Sequence, residues 1–289
     1  MVTKKPPIIT FHIEKGGTAK STTTYNFNGY ASQVLNLRVL TIDCDKSMAL
    51  THAYEMSGEK SIYNIYSEGK TEIYHTTKNN IDIIIGSALF TDNYIDWSVY
   101  GNRILVLYSW IERNAEFLYS NYDIITIDTH NDNSQVTLNA LAPSDIICAP
   151  STADKISYGV CLELTEKVIP FVKQQARNPL TQEDYVFAKP LFLASRVTFN
   201  GNNVSTTIRY FLEALQSLDG FIGIIPERPI MLRTLLENKS IFEIYDEQPE
   251  RTKSDKNKKR SLEKYINNLA VIFDKIITKA NEVHSTRLT

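Results

Sequence analysis

The chain predicts an α/β fold: a mostly parallel, twisted sheet flanked by helices. Three observations predict it. Short apolar runs alternate with stretches long enough for crossover helices. Most of these runs are continuous rather than alternating, which suits strands covered on both faces. Every motif with chemical content stands at the C-terminal end of such a run, where ligands bind in sheets of this kind.

Ile8–Ile13 is the first predicted strand, and Thr22–Ala31 should open the first helix. Between them lies Lys15-Gly16-Gly17-Thr18-Ala19-Lys20-Ser21-Thr22. A strand, a glycine turn and a helix N-terminus together make an anion site, because backbone N–H groups face the turn and the helix dipole favours negative charge there. Gly16 and Gly17 permit close backbone approach. Lys20 would reach terminal phosphates, and the Ser21 hydroxyl would bind Mg²⁺. Lys15 is one lysine more than an ordinary phosphate loop carries. It has little to do within one subunit, where Lys20 already serves the phosphates, and so points to a phosphate of a partner subunit.

Val39–Cys44 is the next strand and ends in Asp43-Cys44-Asp45. Acids two residues apart point to the same side if the strand persists. One can hold the metal shell and the other can orient water. Ile81–Ile85 follows, then Ile124–Asp128, whose terminal acid fits an Mg²⁺ holder acting through water. His130, just beyond, reads as a solvated loop histidine rather than a phosphate contact. Ile146–Ala149 comes next, and a polar loop over Leu180–Lys189 leads to Leu191–Ala194. Phe221–Ile225 runs into Pro226-Glu227. Gln248–Arg260 is poor in apolar residues and rich in charge, which predicts an exposed loop. A last helix, Ser261 to about Ala280, carries Leu262, Ile266, Leu269, Phe273 and Ile276 on one face. The whole chain, 1–289, reads as a single domain.

Lys15-Gly-Gly-x-x-Lys20-Ser21 resembles the deviant Walker A box of the ParA/MinD ATPases. The resemblance implies the P-loop NTPase fold, with Lys15 crossing a dimer interface to the partner's ATP. Asp43-x-Asp45 is similar to the family's A′ motif, which makes Asp45 the residue that orients the attacking water and puts Asp43 near Mg²⁺. The family continues with Pro-Gln, whereas Lys46-Ser47 follows here. Asp128-Thr129 resembles its Walker B element, normally followed by Pro-Pro and here by His130-Asn131. Ile225-Pro226-Glu227 resembles the segment lining the adenine pocket. Ala19 stands where the common loop has Gly, a position the deviant pattern leaves open. The resemblance runs from Pro7 to Ile277 and is strongest before Pro150.

It implies ATP and Mg²⁺ as cofactors, a homodimer, non-specific double-stranded DNA bound in the ATP state, and a ParB-like centromere-binding protein that stimulates hydrolysis. The expected function is partition of a plasmid or chromosome. Two alternatives stay open. One is a positioning ATPase for another cargo, such as a secretion or conjugation complex. The other is a nucleotide-dependent interaction protein with little turnover, raised by Lys46-Ser47 and His130-Asn131.

With 289 residues, 43% of them hydrophobic and 22% charged, and a net charge of −2, nothing global demands nucleic acid. DNA binding must come from a local patch. Lys253, Lys256, Lys258, Lys259 and Arg260 supply one, read equally as a phosphate-backbone contact or as a solvated charged loop. No aromatics interleave the run, so stacking on single strands is not expected. Lys4-Lys5-Pro6-Pro7 does not resemble a signal peptide, and no apolar run approaches the ~18 residues of a membrane span. Val283 and Leu288 are too little apolar area for a membrane-anchoring tail. The expectation is a cytoplasmic, nucleoid-associated protein. Cys44, Cys148 and Cys161 lack metal spacing and read as reduced core thiols.

Overall fold

In a computed structural model, residues 5–178, 180–201 and 203–287 are described. Leu288 of the tail lies outside them. The first half of the chain forms β1 (Ile8–Phe11), α1 (Lys20–Gly29), β2 (Val39–Cys44), α2 (Ala49–Ala53), α3 (Ile62–Ser67), β3 (Tyr74–His75), β4 (Ile81–Ile84), α4 (Val106–Arg113), α5 (Ala115–Asn121) and β5 (Ile124–Thr129). The second half forms α6 (Gln135–Leu141), β6 (Ile146–Ser151), α7 (Lys155–Glu163), α8 (Ile169–Ala176), β7 (Lys189–Val197), α9 (Thr206–Gln216), β8 (Phe221–Pro226), α10 (Pro229–Leu236), α11 (Ile241–Asp246) and α12 (Lys253–Arg287).

The strands make one eight-stranded sheet in the order β3-β4-β2-β5-β1-β6-β7-β8. All neighbours are parallel except the short edge strand β3. Both faces are covered, as the continuous apolar runs require. Ile9 and Phe11 of β1 pack into the same cluster as Phe27, Phe242 and Phe273, while Ile8 packs with Leu40, Ile42 and Trp110 on the opposite side. A third cluster joins β6 and β7 to α7, α8 and α9. All seven parallel strands stand where the sequence places them. β3 has only two residues, too short to leave a period in the sequence.

Helix α1 is almost wholly buried although its sequence, KSTTTYNFNG, favours helix weakly. The Thr24, Asn26 and Asn28 side chains are bonded in place, whereas the buried Tyr25 hydroxyl has no partner among the described residues. Thr24 Oγ1 donates to the Lys20 carbonyl, and Asn26 Nδ2 donates to that of Thr22 and to Thr234 Oγ1. Asn26 Oδ1 accepts the Ile241 N–H at 2.7 Å, and Asn28 Oδ1 accepts Thr126 Oγ1 at 2.8 Å. Tertiary partners therefore hold α1 against β5, α10 and α11, and so hold the loop that precedes it.

The expected loop over 248–260 is corrected. α12 begins at Lys253, so Lys253, Lys256, Lys258, Lys259 and Arg260 stand on helix. The cause is a reciprocal cap: the Thr252 N–H donates to Asp255 Oδ2 and the Asp255 N–H to Thr252 Oγ1, both at 3.1 Å. Lysine and arginine are good helix formers and extend the turn once it is capped. The helix also runs past the expected Ala280, to Arg287. Its buried end is fixed by His284, whose Nδ1 lies 3.2 Å from Asp145 Oδ2. All three cysteines are free and buried. Among the described residues no helix is long and apolar enough to cross a membrane.

Phe273 anchors α12: it is fully buried, with its ring edge-on to Phe27 at 5.4 Å and tilted against Tyr30 at 5.7 Å. Phe273→Ala should lower unfolding stability by about 3–5 kcal/mol in urea denaturation. A loss below about 1 kcal/mol would show that α12 is not part of the core.

Candidate active site

β1 delivers its C-terminal end between two neighbours, with Phe11 paired to Asp128 of β5 and to Cys148 of β6. The chain then turns through residues 12–19 into α1. Gly17 has φ +77°, and Ala19 is left-handed at φ +64° just before the helix. A non-glycine there costs roughly 1–2 kcal/mol, so the loop is held from outside. Ser195 Oγ donates to the Thr18 carbonyl and Arg196 Nη1 to that of Gly17, both at 2.8 Å. A Cβ on Gly16 would meet Asn131 Nδ2 at 3.2 Å, so this glycine answers a close approach.

Lys20, in the first turn of α1, is buried. Its ammonium donates to the Thr129 carbonyl and lies 3.8 Å from both Asp45 Oδ2 and Asp128 Oδ1. Two strand ends, those of β2 and β5, thus converge on one cation. Asp128 is fully buried, and Thr24 Oγ1 donates to its Oδ1 at 3.1 Å. Burial raises its pKa, while the Lys20 charge and the Ser21 hydroxyl oppose the rise. Its Oδ2 is buried with no hydrogen-bond partner. A bare carboxylate oxygen beside the Ser21 hydroxyl is the donor set that a hard divalent cation uses, so the residues fit Mg²⁺.

Asp45 differs from Asp128. Burial pulls its pKa upward, but the Ser47 N–H, the Lys20 charge and His130 outweigh it and hold the group below the ordinary value. Its Oδ1 accepts the Ser47 N–H at 2.8 Å and lies 2.9 Å from His130 Nδ1. His130 is therefore a site residue, which corrects the reading of it as a solvated histidine. His12, beneath the loop, is 2.8 Å from Thr129 Oγ1. Burial, helped by the Lys20 charge, lowers its pKa to about 4, so it is neutral at pH 7.

Asp43, which the resemblance puts near Mg²⁺, stands opposite Asp128 in the pairing of β2 with β5, and both its oxygens are engaged inside the chain. Oδ2 accepts the Thr51 N–H at 2.9 Å and Thr51 Oγ1 at 2.7 Å, and Oδ1 accepts the Asp45 N–H at 3.1 Å. It ties α2 to the end of β2. Burial and the neighbouring Asp128 raise its pKa to about 7.

Lys15 has a partner within its own subunit, contrary to expectation. Its ammonium donates to Asp154 Oδ2 at 2.5 Å and to Thr152 Oγ1 and Ser157 Oγ at 2.9 Å. Asp154 is the N-cap of α7 and accepts the Ile156 and Ser157 N–H groups. Pro226 and Glu227 line a groove beside Ala19, Thr22 and Thr23. Glu227 pairs with Arg196 at 3.0 Å. Sequence reasoning missed Arg196, Asn131 and Asp154. Of these only Asp154 left a local signal, as an acidic residue opening a helix just after a strand.

Residues 6–181, more than half of the chain, match the family described as AAA domain. The chain belongs to the ParA/MinD family. Soj, the sporulation initiation inhibitor protein of Bacillus subtilis (strain 168), is 29% identical over 149 residues, 50% of this chain and 57% of Soj. The chain thus spans little more than half the length of that relative. A plasmid partition protein from Borrelia burgdorferi is 26% identical with a TM-score of 0.64, covering 96% of this chain and 100% of its own. A variant of Cyanothece McdA, solved as its ATP complex, is 14% identical with a TM-score of 0.74, covering 96% of this chain and 97% of its own. The last likeness shows a shared fold. This ParA/MinD protein has the family's P-loop on the family's sheet.

The pair between Lys15 and Asp154 gives a pH signature. Burial alone would raise the Asp154 pKa, but Lys15 and the N-cap bonds lower it from 3.8 to about 2. A carboxylate depressed by folding stabilises the fold above its unfolded pKa, and that contribution is lost as pH falls through the folded one. The stability advantage of wild type over Asp154→Asn should be constant from pH 7 to about 4 and should close toward about pH 2. Thermal unfolding of both proteins across this range checks it. A gap that stays open at pH 2 would exclude the ion pair as its source.

Proposed function

We propose that this chain is a DNA partition ATPase. In this reading ATP closes two copies into a sandwich dimer, the dimer binds duplex DNA without sequence preference, and a ParB-like centromere-binding protein stimulates hydrolysis. One observation carries the reading: the Lys20 ammonium stands 3.8 Å from Asp45 and from Asp128 at the mouth of the loop. Loop N–H groups and Lys20 would hold the phosphates. Mg²⁺, held by Ser21 and Asp128, would offset phosphate charge. Asp45, ionised and turned toward Lys20, would orient the attacking water. Catalysis of this kind is mainly positional and electrostatic. Pro226 and Glu227 would line the base site.

Lys15 would act across the dimer. Its bond to Asp154 joins two partly exposed groups, and such pairs are worth about 0–1 kcal/mol. The lysine can therefore leave Asp154 for a partner's phosphate at small cost. Partition is preferred to another cargo because a plasmid partition protein is similar over nearly the whole chain. The fold alone does not choose cargo.

Lys15→Ala should bind ATP nearly as tightly as wild type while ATP-dependent dimerisation and DNA-stimulated hydrolysis fall by ~10-fold or more, as expected for a lost charge contact at a dry interface. Light scattering with ATP beside a calorimetric titration tests both halves. Normal dimerisation, or lost ATP binding in the monomer, would refute the cross-subunit role.

Lys253, Lys256, Lys258 and Arg260 are exposed at the start of α12, whereas Lys259 is drawn to Glu250 at 2.7 Å. Changing Lys253, Lys256, Lys258 and Arg260 together to Gln should weaken binding to unrelated duplexes equally. It should also flatten the salt dependence, by a slope of up to ~0.9 for each lost phosphate contact. Unchanged DNA affinity would make this turn of helix a solvated face only.

A further inference from the structure

The two places where the chain departs from the family's pattern, Lys46-Ser47 and His130-Asn131, meet at one carboxylate. Asp45 Oδ1 accepts the Ser47 N–H at 2.8 Å and faces His130 Nδ1 at 2.9 Å, although His130 lies 85 residues away in sequence. An ionised carboxylate only accepts, so Nδ1 carries the ring proton and donates it. With two donors on Oδ1, the other oxygen is left directed at Lys20, 3.8 Å away, on the side where a terminal phosphate would lie.

A carboxylate at a strand end can otherwise rotate about two bonds. Two donors converging on one oxygen fix both rotations. The histidine is itself mounted firmly. It follows Thr129, whose carbonyl accepts the Lys20 ammonium and whose hydroxyl donates to the Phe11 carbonyl at 3.1 Å. It precedes Asn131, which packs against Gly16 of the loop. The ring is thus placed by the same segment that places the phosphate loop. Proline, the family's residue at this position, has no side-chain donor to offer.

We infer that His130 is a positioning residue for hydrolysis: its Nδ1–H holds Asp45 so that Oδ2 meets the attacking water. The inference rests on the reading of Asp45 as the water-orienting group given above.

The test is single- and multiple-turnover ATP hydrolysis by the full chain with Mg²⁺ and duplex DNA. It uses wild type, His130→Ala, His130→Asn, Asp45→Ala and the double variant His130→Ala/Asp45→Ala, with ATP affinity measured for each. His130→Ala should lower kcat by about 10-fold, part of the ~10²–10⁴ that a positioned base supplies, with KM and ATP affinity within about twofold. His130→Asn places an amide N–H near the former Nδ1 and should recover most of the loss. On the Asp45→Ala background, His130→Ala should cost nothing further, because a residue that acts only through another is silent once that other is gone.

Wild-type kcat or a raised kcat in His130→Ala overturns the inference. So does a further loss in the double variant, or an equal loss in His130→Asn accompanied by weaker ATP binding, which is the mark of a merely structural role. Should His130→Ala fail to fold, His130→Phe, which keeps a ring but has no donor, takes its place in both the single and the double variant. If wild type itself does not hydrolyse ATP, the proposed function falls and this inference with it. Turnover by wild type that is unaltered in His130→Ala removes the inference alone.

Discussion

The buried ammonium of Lys20 is the constraint on which the active end of the sheet depends. A charge out of water costs several kcal/mol unless it is paired and hydrogen-bonded. Here the pairing comes from Asp45 after β2, Asp128 at the end of β5 and the Thr129 carbonyl beside it. These groups can surround Lys20 only if β2 and β5 are in register, and they are: Asp43 stands opposite Asp128 and Cys44 opposite Thr129. β1 shares that register through Phe11 and Asp128. One cation thus joins the loop to two strand ends.

The same constraint accounts for helix α1. Lys20 opens it, so α1 must lie deep against β5, where threonine and asparagine would normally be costly. Asn26 and Asn28 turn that cost into attachment, one holding α10 and α11 and the other bonding to β5. A buried polar network that is fully satisfied specifies position more sharply than apolar packing does. The loop can then carry Ala19 in a left-handed conformation, because Ser195 and Arg196 hold the neighbouring carbonyls.

The two lysines of the loop are held on different terms. Lys20 is buried among permanent partners, and its displacement would strand two carboxylates. Lys15 sits at the rim, on a part-exposed carboxylate that also caps α7. The first arrangement is structural and suited to a fixed phosphate contact. The second is cheap to exchange, since it joins two partly exposed groups. Asp154 keeps its cap bonds to Ile156 and Ser157 whether or not Lys15 is present.

The sequence by itself determined the sheet, the phosphate loop and the acidic strand ends, because these follow from local chemistry. Continuous apolar runs mark strands buried on both faces, glycine pairs mark a backbone that must come close, and strand-end acids mark a charged site. Lys20 stands 3.8 Å from Asp128 across these strand ends. What the sequence left open was decided by contacts between distant segments. His130 became a site residue because the loop after β5 crosses the end of β2, and Asp43 turned to Thr51 because α2 folds back over its strand. Lys15 met Asp154 because β6 lies beside β1. The basic run became helix through one reciprocal cap whose residues, Thr252 and Asp255, look like any other polar pair in a charged stretch. Side-chain direction at a strand end depends on which loop arrives opposite it, and only the tertiary fold sets that.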